Sequence, residues 1–164
     1  MIDFDSETSH LIKFISSDGK IFEIKENCLK RSGFFKEMKD ILNLNEEIPL
    51  ARADSKNLCL IIEYLNHYEN EEPREIPKPL PGPDLKPVLS EWDYNFIMPL
   101  TLEETIDLVN TANYLNIPEL VNLASARLAY EMINCTIEEA REKFGIKCDM
   151  TEEEIQEMDK YPLD

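Results

Sequence analysis

From Thr101 onward, apolar residues recur at the three-and-four spacing of amphipathic helices; over the first fifty residues they come in short runs and alternations. On a helix over 102–115, Leu102, Ile106, Leu108, Val109, Ala112 and Leu115 cover about half the circumference and form a broad core-facing stripe. Tyr114 falls on the opposite side, in line with Glu103, Asp107 and Asn110. Such a ring either lies across a neighbouring loop or waits for a partner, since Tyr is enriched among interface anchors. Asn116, with Pro118 and Glu119 behind it, is expected to cap a second helix over 117–133. That helix carries Ile117, Leu120, Val121, Ala124, Leu128 and Met132 on one side. Leu123, Ala126, Ala129, Tyr130 and Ile133 occupy much of the other. A helix apolar over most of its surface is covered on two sides, by core or by a partner. Thr101 with Glu104, Thr136 with Glu139 and Thr151 with Glu154 have the spacing of capping boxes and open helices over 102–115, 137–144 and 152–160. Ile137, Ala140 and Phe144 form the stripe of the third helix, which stops at Gly145. Only Ile155 and Met158 of the acidic last helix are expected to face inward.

The first half reads as a small sheet with helices. Leu11–Ile15 and Ile21–Ile24 are strand-like runs joined through Asp18-Gly19, a tight-turn pair, and predict a hairpin. Asn27–Arg31 predicts a short helix stopped at Ser32-Gly33. Phe34, Phe35, Met38, Ile41 and Leu42 predict a small amphipathic helix. Residues 47–50 suit a third, edge strand because Pro49 lacks an N–H. The helix expected over 55–68 buries Leu58, Ile61, Ile62, Leu65 and Tyr68. Residues 71–90, with prolines at 73, 77, 79, 81, 83 and 87, predict an extended or mobile linker, and Trp92 and Phe96 in a helical turn seat its end on the core.

Charge narrows the partners. With 34 acidic against 17 basic residues the net charge is −17, so nucleic acid and anionic membranes repel the chain; no Lys/Arg cluster relieves the excess, and basic partner surfaces are favoured. Cys28, Cys59, Cys135 and Cys148 form no Cys-x-x-Cys unit, and His10 and His67 lie apart from them, so no metal site is expected. The opening Met-Ile-Asp-Phe-Asp lacks a signal-peptide pattern, and no apolar run approaches the roughly 18 residues of a membrane span. The carboxylates sit on helix starts and solvated faces, and no nucleophile motif, phosphate-cradling loop or calcium loop is present. No catalytic residue and no cofactor is expected.

Five stretches carry a family resemblance: Ile15-Ser16-Ser17-Asp18-Gly19-Lys20-Ile21-Phe22-Glu23-Ile24, then Ile48-Pro49-Leu50, then Trp92-Asp93-Tyr94-Asn95-Phe96, then Ala112-Asn113-Tyr114-Leu115-Asn116-Ile117, and finally Glu138 to Lys147. In this order they resemble the S-phase-kinase-associated adaptor family, the Skp subunit of Skp–cullin–F-box ubiquitin ligases. The resemblance implies an α+β fold: a BTB/POZ domain over 1–116, including the proline-rich loop, followed by F-box-binding and dimerisation helices over 117–164. It implies a non-catalytic adaptor that bridges a cullin N-terminal domain and F-box proteins in cytoplasm and nucleus. Asn113 and Tyr114 match the pair that contacts the cullin. Phe144 and Ile146 match F-box-gripping positions by motif, and Val121, Leu128 and Met132 by helix pattern. The same apolar face allows self-association of the free chain. An elongin C-like adaptor shares the first half of this pattern, and a self-associating BTB module is a further alternative. The Trp of the family tail is absent from Lys160-Tyr161-Pro162-Leu163-Asp164, so the last helix is expected to grip less well unless Tyr161 substitutes.

Overall fold

Alternation along the first strand sorts its side chains: Ile12, Phe14 and Ser16 are buried and the intervening residues are not. This strand belongs to a computed structural model that describes residues 10–39, 46–147 and 149–160. Strand β1 (Leu11–Ser16) pairs antiparallel with β2 (Ile21–Lys25) in the register Leu11↔Lys25 to Ile15↔Ile21. The turn between them uses Gly19 at φ 79°, a left-handed conformation that a side chain resists. Strand β3 (Ile48–Leu50) lies parallel to β1 on its other edge, giving the order β2-β1-β3. Pro49 therefore occupies an edge strand, where a missing N–H is tolerated.

The predicted hairpin is present, and its turn is tied to the next helix. The Ser55 amide and hydroxyl both donate to the Asp18 carboxylate, at 2.8 and 2.6 Å. The hydroxyl bond is the main reason the Asp18 carboxyl drops to about 2 from an ordinary 3.8. Helix α2 (Ser55–His67) starts there, with Asp54 accepting from the Asn57 amide. It buries Leu58, Ile61, Tyr64 and Leu65, and Tyr68 just beyond it is buried too.

One expectation holds in the connecting segments and one changes. Residues Glu26–Arg31 form a 3₁₀ helix that ends at Ser32 as expected, its amide donating to the Leu29 carbonyl, and Ser32 also caps α1 (Gly33–Met38) by accepting from the Phe35 amide. Ile41 and Leu42 lie outside the described residues. The stretch 71–90 has no regular secondary structure, but it is not a free linker. Leu85, Val88 and Leu89 are buried in the core, and Ile76 and Leu80 pack against it. Arg31 holds the loop's start, donating from Nε to the Tyr68 carbonyl and from Nη1 to Glu72. At its end α3 (Glu91–Ile97) stacks Trp92 between His67 and Phe96, with centroids 3.8 and 4.9 Å away. Buried Asp93 accepts from the Tyr68 and Ser90 hydroxyls.

Helix α4 (Leu102–Tyr114) opens with the expected capping box of Thr101 and Glu104. Lys56, then the Thr101 amide and hydroxyl, hold the Glu104 carboxyl down at about 2. Its core stripe is Thr105, Leu108, Thr111 and Ala112, continued by Leu115. Ile106, expected in that stripe, faces outward at 36% exposure. Helix α5 (Pro118–Ile133) begins one residue later than predicted. Asn116 takes φ 51° at the α4–α5 corner instead of the extended conformation of an N-cap residue. Leu120 and Leu123, assigned to opposite sides of α5, are both buried, because Leu120, Leu123, Ala124 and Arg127 share one core-facing stripe.

The corner at Asn116 is where α1 attaches. The Gly33 amide donates to the Asn116 carbonyl at 2.8 Å, the Phe34 amide to the Leu115 carbonyl at 3.3 Å, and the Ser32 hydroxyl also donates to Leu115. A Cβ on Gly33 would stand 2.1 Å from Asn116 Nδ2 and 3.1 Å from its Cβ. Gly33→Ala is therefore expected to destabilise the fold by about 1–3 kcal/mol, the usual cost of overpacking. Adding Asn116→Gly, which removes that side chain and suits a positive φ, is expected to recover most of the loss. Denaturant unfolding of the two single variants and the double variant measures this coupling; additive losses would place the strain elsewhere.

Packing divides the chain into two compact units, Met1–Tyr130 and Glu131–Asp164. The core just described belongs to the first. In the second, α6 (Ile137–Phe144) starts with the Thr136–Glu139 capping box and ends at Gly145, φ 63°. The Ile146 and Gly145 amides donate to Arg141 and Glu142, the two bonds of a Schellman stop. Helix α7 (Glu152–Asp159) opens with reciprocal bonds between Thr151 and Glu154. The side chains of Ile155 and Met158, and Tyr161 as a whole, lie outside the described residues.

Candidate functional site

Among the described residues no group of three or more His, Cys, Asp and Glu side chains could hold a metal, and no helix is long and apolar enough to cross a membrane. Cys28, Cys59 and Cys135 are free thiols, and burial raises the pKa of Cys28 and makes it less reactive. Cys148 lies outside the described residues.

The first surface is the outward side of α4. Asn113 is exposed and Tyr114 is half-buried. The Tyr114 ring stands 5.5 Å from Phe34, tilted 44° to it, and 5.8 Å from the Arg52 guanidinium. One side of the ring lies against α1 and the β3–α2 corner, as the first reading has it, and the rest meets solvent. Beside it is an open polar depression of about 310 Å³, whose lining includes Arg52, Asp54, Asn57, Asp107 and Asn110. The structure adds Phe34 and Arg52 to Asn113 and Tyr114. Phe34 had read only as part of a packed stripe, and Arg52 sits in a segment with no motif. Their proximity comes from the docking of α1 on the α4–α5 corner and from the Asp18–Ser55 clamp, which no local pattern announces.

The remaining sequence-assigned residues fall in two places, on α5 within the first unit and in the second unit. Val121 and Leu128 are half-buried on the flank of the core stripe, with Val121 packed against the core. In the second unit, Met132 is 50% exposed and Ile146 52%, while Phe144 is half-buried. Ile133 at 51% and Ile137 at 63% join the exposed apolar residues of that unit. From sequence alone Ile137 belongs to the α6 stripe and Ile133 to the second apolar side of α5, so neither pattern singles them out as exposed. Arg127, unassigned by sequence reasoning, is buried at 8% exposure with its guanidinium 5.5 Å from the Tyr130 ring. The polar patch with one aromatic on α4 and the exposed apolar residues of the second unit differ in character, and burial of the latter yields roughly 25 cal/mol per Å².

Residues 10–70 match the Skp1 family, tetramerisation domain, and residues 118–161 match the Skp1 family, dimerisation domain. The S-phase kinase-associated protein 1 homolog of Tetrahymena thermophila is 33% identical over 153 residues, 92% of each chain. SKP1-like protein 18 of Arabidopsis thaliana is 35% identical over 153 residues, 93% of this chain and 94% of its own. SKP1-like protein 12 of the same plant is 35% identical over 147 residues, 90% of this chain and 91% of its own.

Proposed function

The chain belongs to the Skp1 family, and from that premise we propose that it is a non-catalytic adaptor which bridges a cullin N-terminal domain and F-box proteins in a Skp–cullin–F-box ubiquitin ligase. In this reading the POZ part, to about residue 116, carries the cullin contact through Asn113 and Tyr114. The following helices carry the F-box contact through Val121, Leu128, Met132, Phe144 and Ile146. The observation that supports it most is the exposure of large apolar residues over the dimerisation-domain match: Met132, Ile133, Ile137 and Ile146 are each half exposed or more. A surface of that character costs free energy in water and favours a partner that covers it. The match over 118–161 also favours the Skp reading over an elongin C-like one, whose pattern stops near the Asn-Tyr pair. The free thiols fit a reducing compartment and so the cytoplasm and nucleus.

Calorimetric titration with an F-box segment tests the second contact. The expected result is binding with a negative heat-capacity change, the mark of apolar burial. No binding across a range of F-box segments would refute the reading. Self-association of the free chain through the same face follows from the same exposure, and sedimentation is expected to show dimers that an F-box segment dissociates.

A further inference from the structure

In a chain of net charge −17, the segment 25–39 runs the other way, with Lys25, Lys30, Arg31, Lys36 and Lys39 against Glu26 and Glu37. The expectation that no basic cluster relieves the acidic excess is corrected here, because the fold gathers Lys30, Lys36 and Lys39 around one cavity. The cavity holds about 180 Å³, room for one large apolar side chain, and buried Ile12, Leu29 and Phe35 line it. Lys25, Arg31 and Lys39 are committed to Glu69, Glu72 and Glu26. Lys30 and Lys36 are exposed and have no ion-pair partner among the described residues. A neighbouring polar cleft of about 670 Å³ shares these two lysines, but there Glu69, Glu72 and Glu119 surround Arg31, so the uncompensated charge lies on the pit side. An apolar pit with two uncommitted cations at its edge is complementary to a particular ligand.

We propose that this surface docks an acidic peptide segment of a partner protein, with one bulky apolar side chain entering the pit and flanking carboxylates meeting Lys30 and Lys36. The ligand is a short segment and not a nucleic acid, because the cationic area is confined to these lysines and the surrounding field of the chain repels an extended polyanion. The pit separates this site from a purely electrostatic patch. It demands an apolar anchor, as peptide-binding pockets do. The site is independent of the adaptor reading, since it uses neither Asn113 and Tyr114 nor the exposed apolar residues beyond Tyr130.

Fluorescence anisotropy of the full chain with a short labelled peptide, one central phenylalanine flanked by glutamates, tests the proposal. Binding is expected to weaken about tenfold or more when the phenylalanine becomes alanine, when the glutamates become glutamines, and in the double variant Lys30→Glu, Lys36→Glu. The double variant is expected to melt with the wild type, since both lysines are exposed, and to keep its cullin and F-box affinities. As a second readout, the peptide is expected to shift the amide resonances of Leu29, Phe35 and Lys36 in the unmodified chain. Equal affinity for the glutamine peptide, an unaffected double variant, resonance shifts confined to other residues, or a parallel loss of cullin binding would each overturn it.

Discussion

Replacing Tyr114 by lysine is expected to weaken binding to a cullin N-terminal domain by about thirtyfold or more while leaving F-box affinity within a factor of two. The thirtyfold loss corresponds to the roughly 2 kcal/mol that marks an interface hot spot. The ring is held by Phe34 at 5.5 Å and Arg52 at 5.8 Å and still reaches solvent, so it is a pre-oriented aromatic anchor in a polar surround. A lysine there loses the apolar contact and brings a second cation towards Arg52. Because the ring is half-buried, the substitution also removes packing from α1. The expected cost to the free chain is about 1 kcal/mol, visible in thermal unfolding. Asn113→Ala separates the two effects: Asn113 is exposed, so its substitution touches the contact and not the fold. Surface plasmon resonance with immobilised cullin domain measures both. Loss of cullin and F-box binding together would assign Tyr114 to the core.

The second large effect is expected from Met132→Asp combined with Ile146→Asp: loss of F-box binding by about a hundredfold or more, with cullin affinity retained. Each residue is about half exposed, so a carboxylate at either position remains hydrated in the free chain and the helices persist. In a complex that covers them, two charges would be desolvated without partners, which costs several kcal/mol. Phe144→Ala is expected to act in the same direction but less cleanly, because that ring is half-buried. Calorimetry against an F-box segment, with circular dichroism as the control for helix content, measures the loss. Unchanged affinity would remove these residues from the interface.

Features set by neighbours in sequence were readable before the structure. The Asp18-Gly19 hairpin depends on one turn, and the capping boxes at Thr101, Thr136 and Thr151 each depend on four consecutive residues. What could not be read depends on residues far apart. Asn116 looks like a helix cap from its sequence neighbours, but α1 claims the corner through Gly33 and Phe34, and Asn116 takes a left-handed conformation there. Residues 71–90 look like a linker from proline content, yet Leu85, Val88 and Leu89 pay for their own ordering by entering the core. Ile106 points outward because Thr105 and Thr111 bury their methyl groups and satisfy their hydroxyls on the carbonyls of Thr101 and Asp107. The Tyr114 surface was legible as an anomaly, an aromatic in a polar row. Its companions Phe34 and Arg52 were not, since only the tertiary fold brings them together.

The most direct measurement of the bridging role is size-exclusion chromatography with light scattering on the full chain mixed with a cullin N-terminal domain and an F-box segment, singly and together. An adaptor with separate surfaces gives a complex with each partner alone and a single 1:1:1 species with both. Mutual exclusion of the two partners, or failure to bind either, would contradict it.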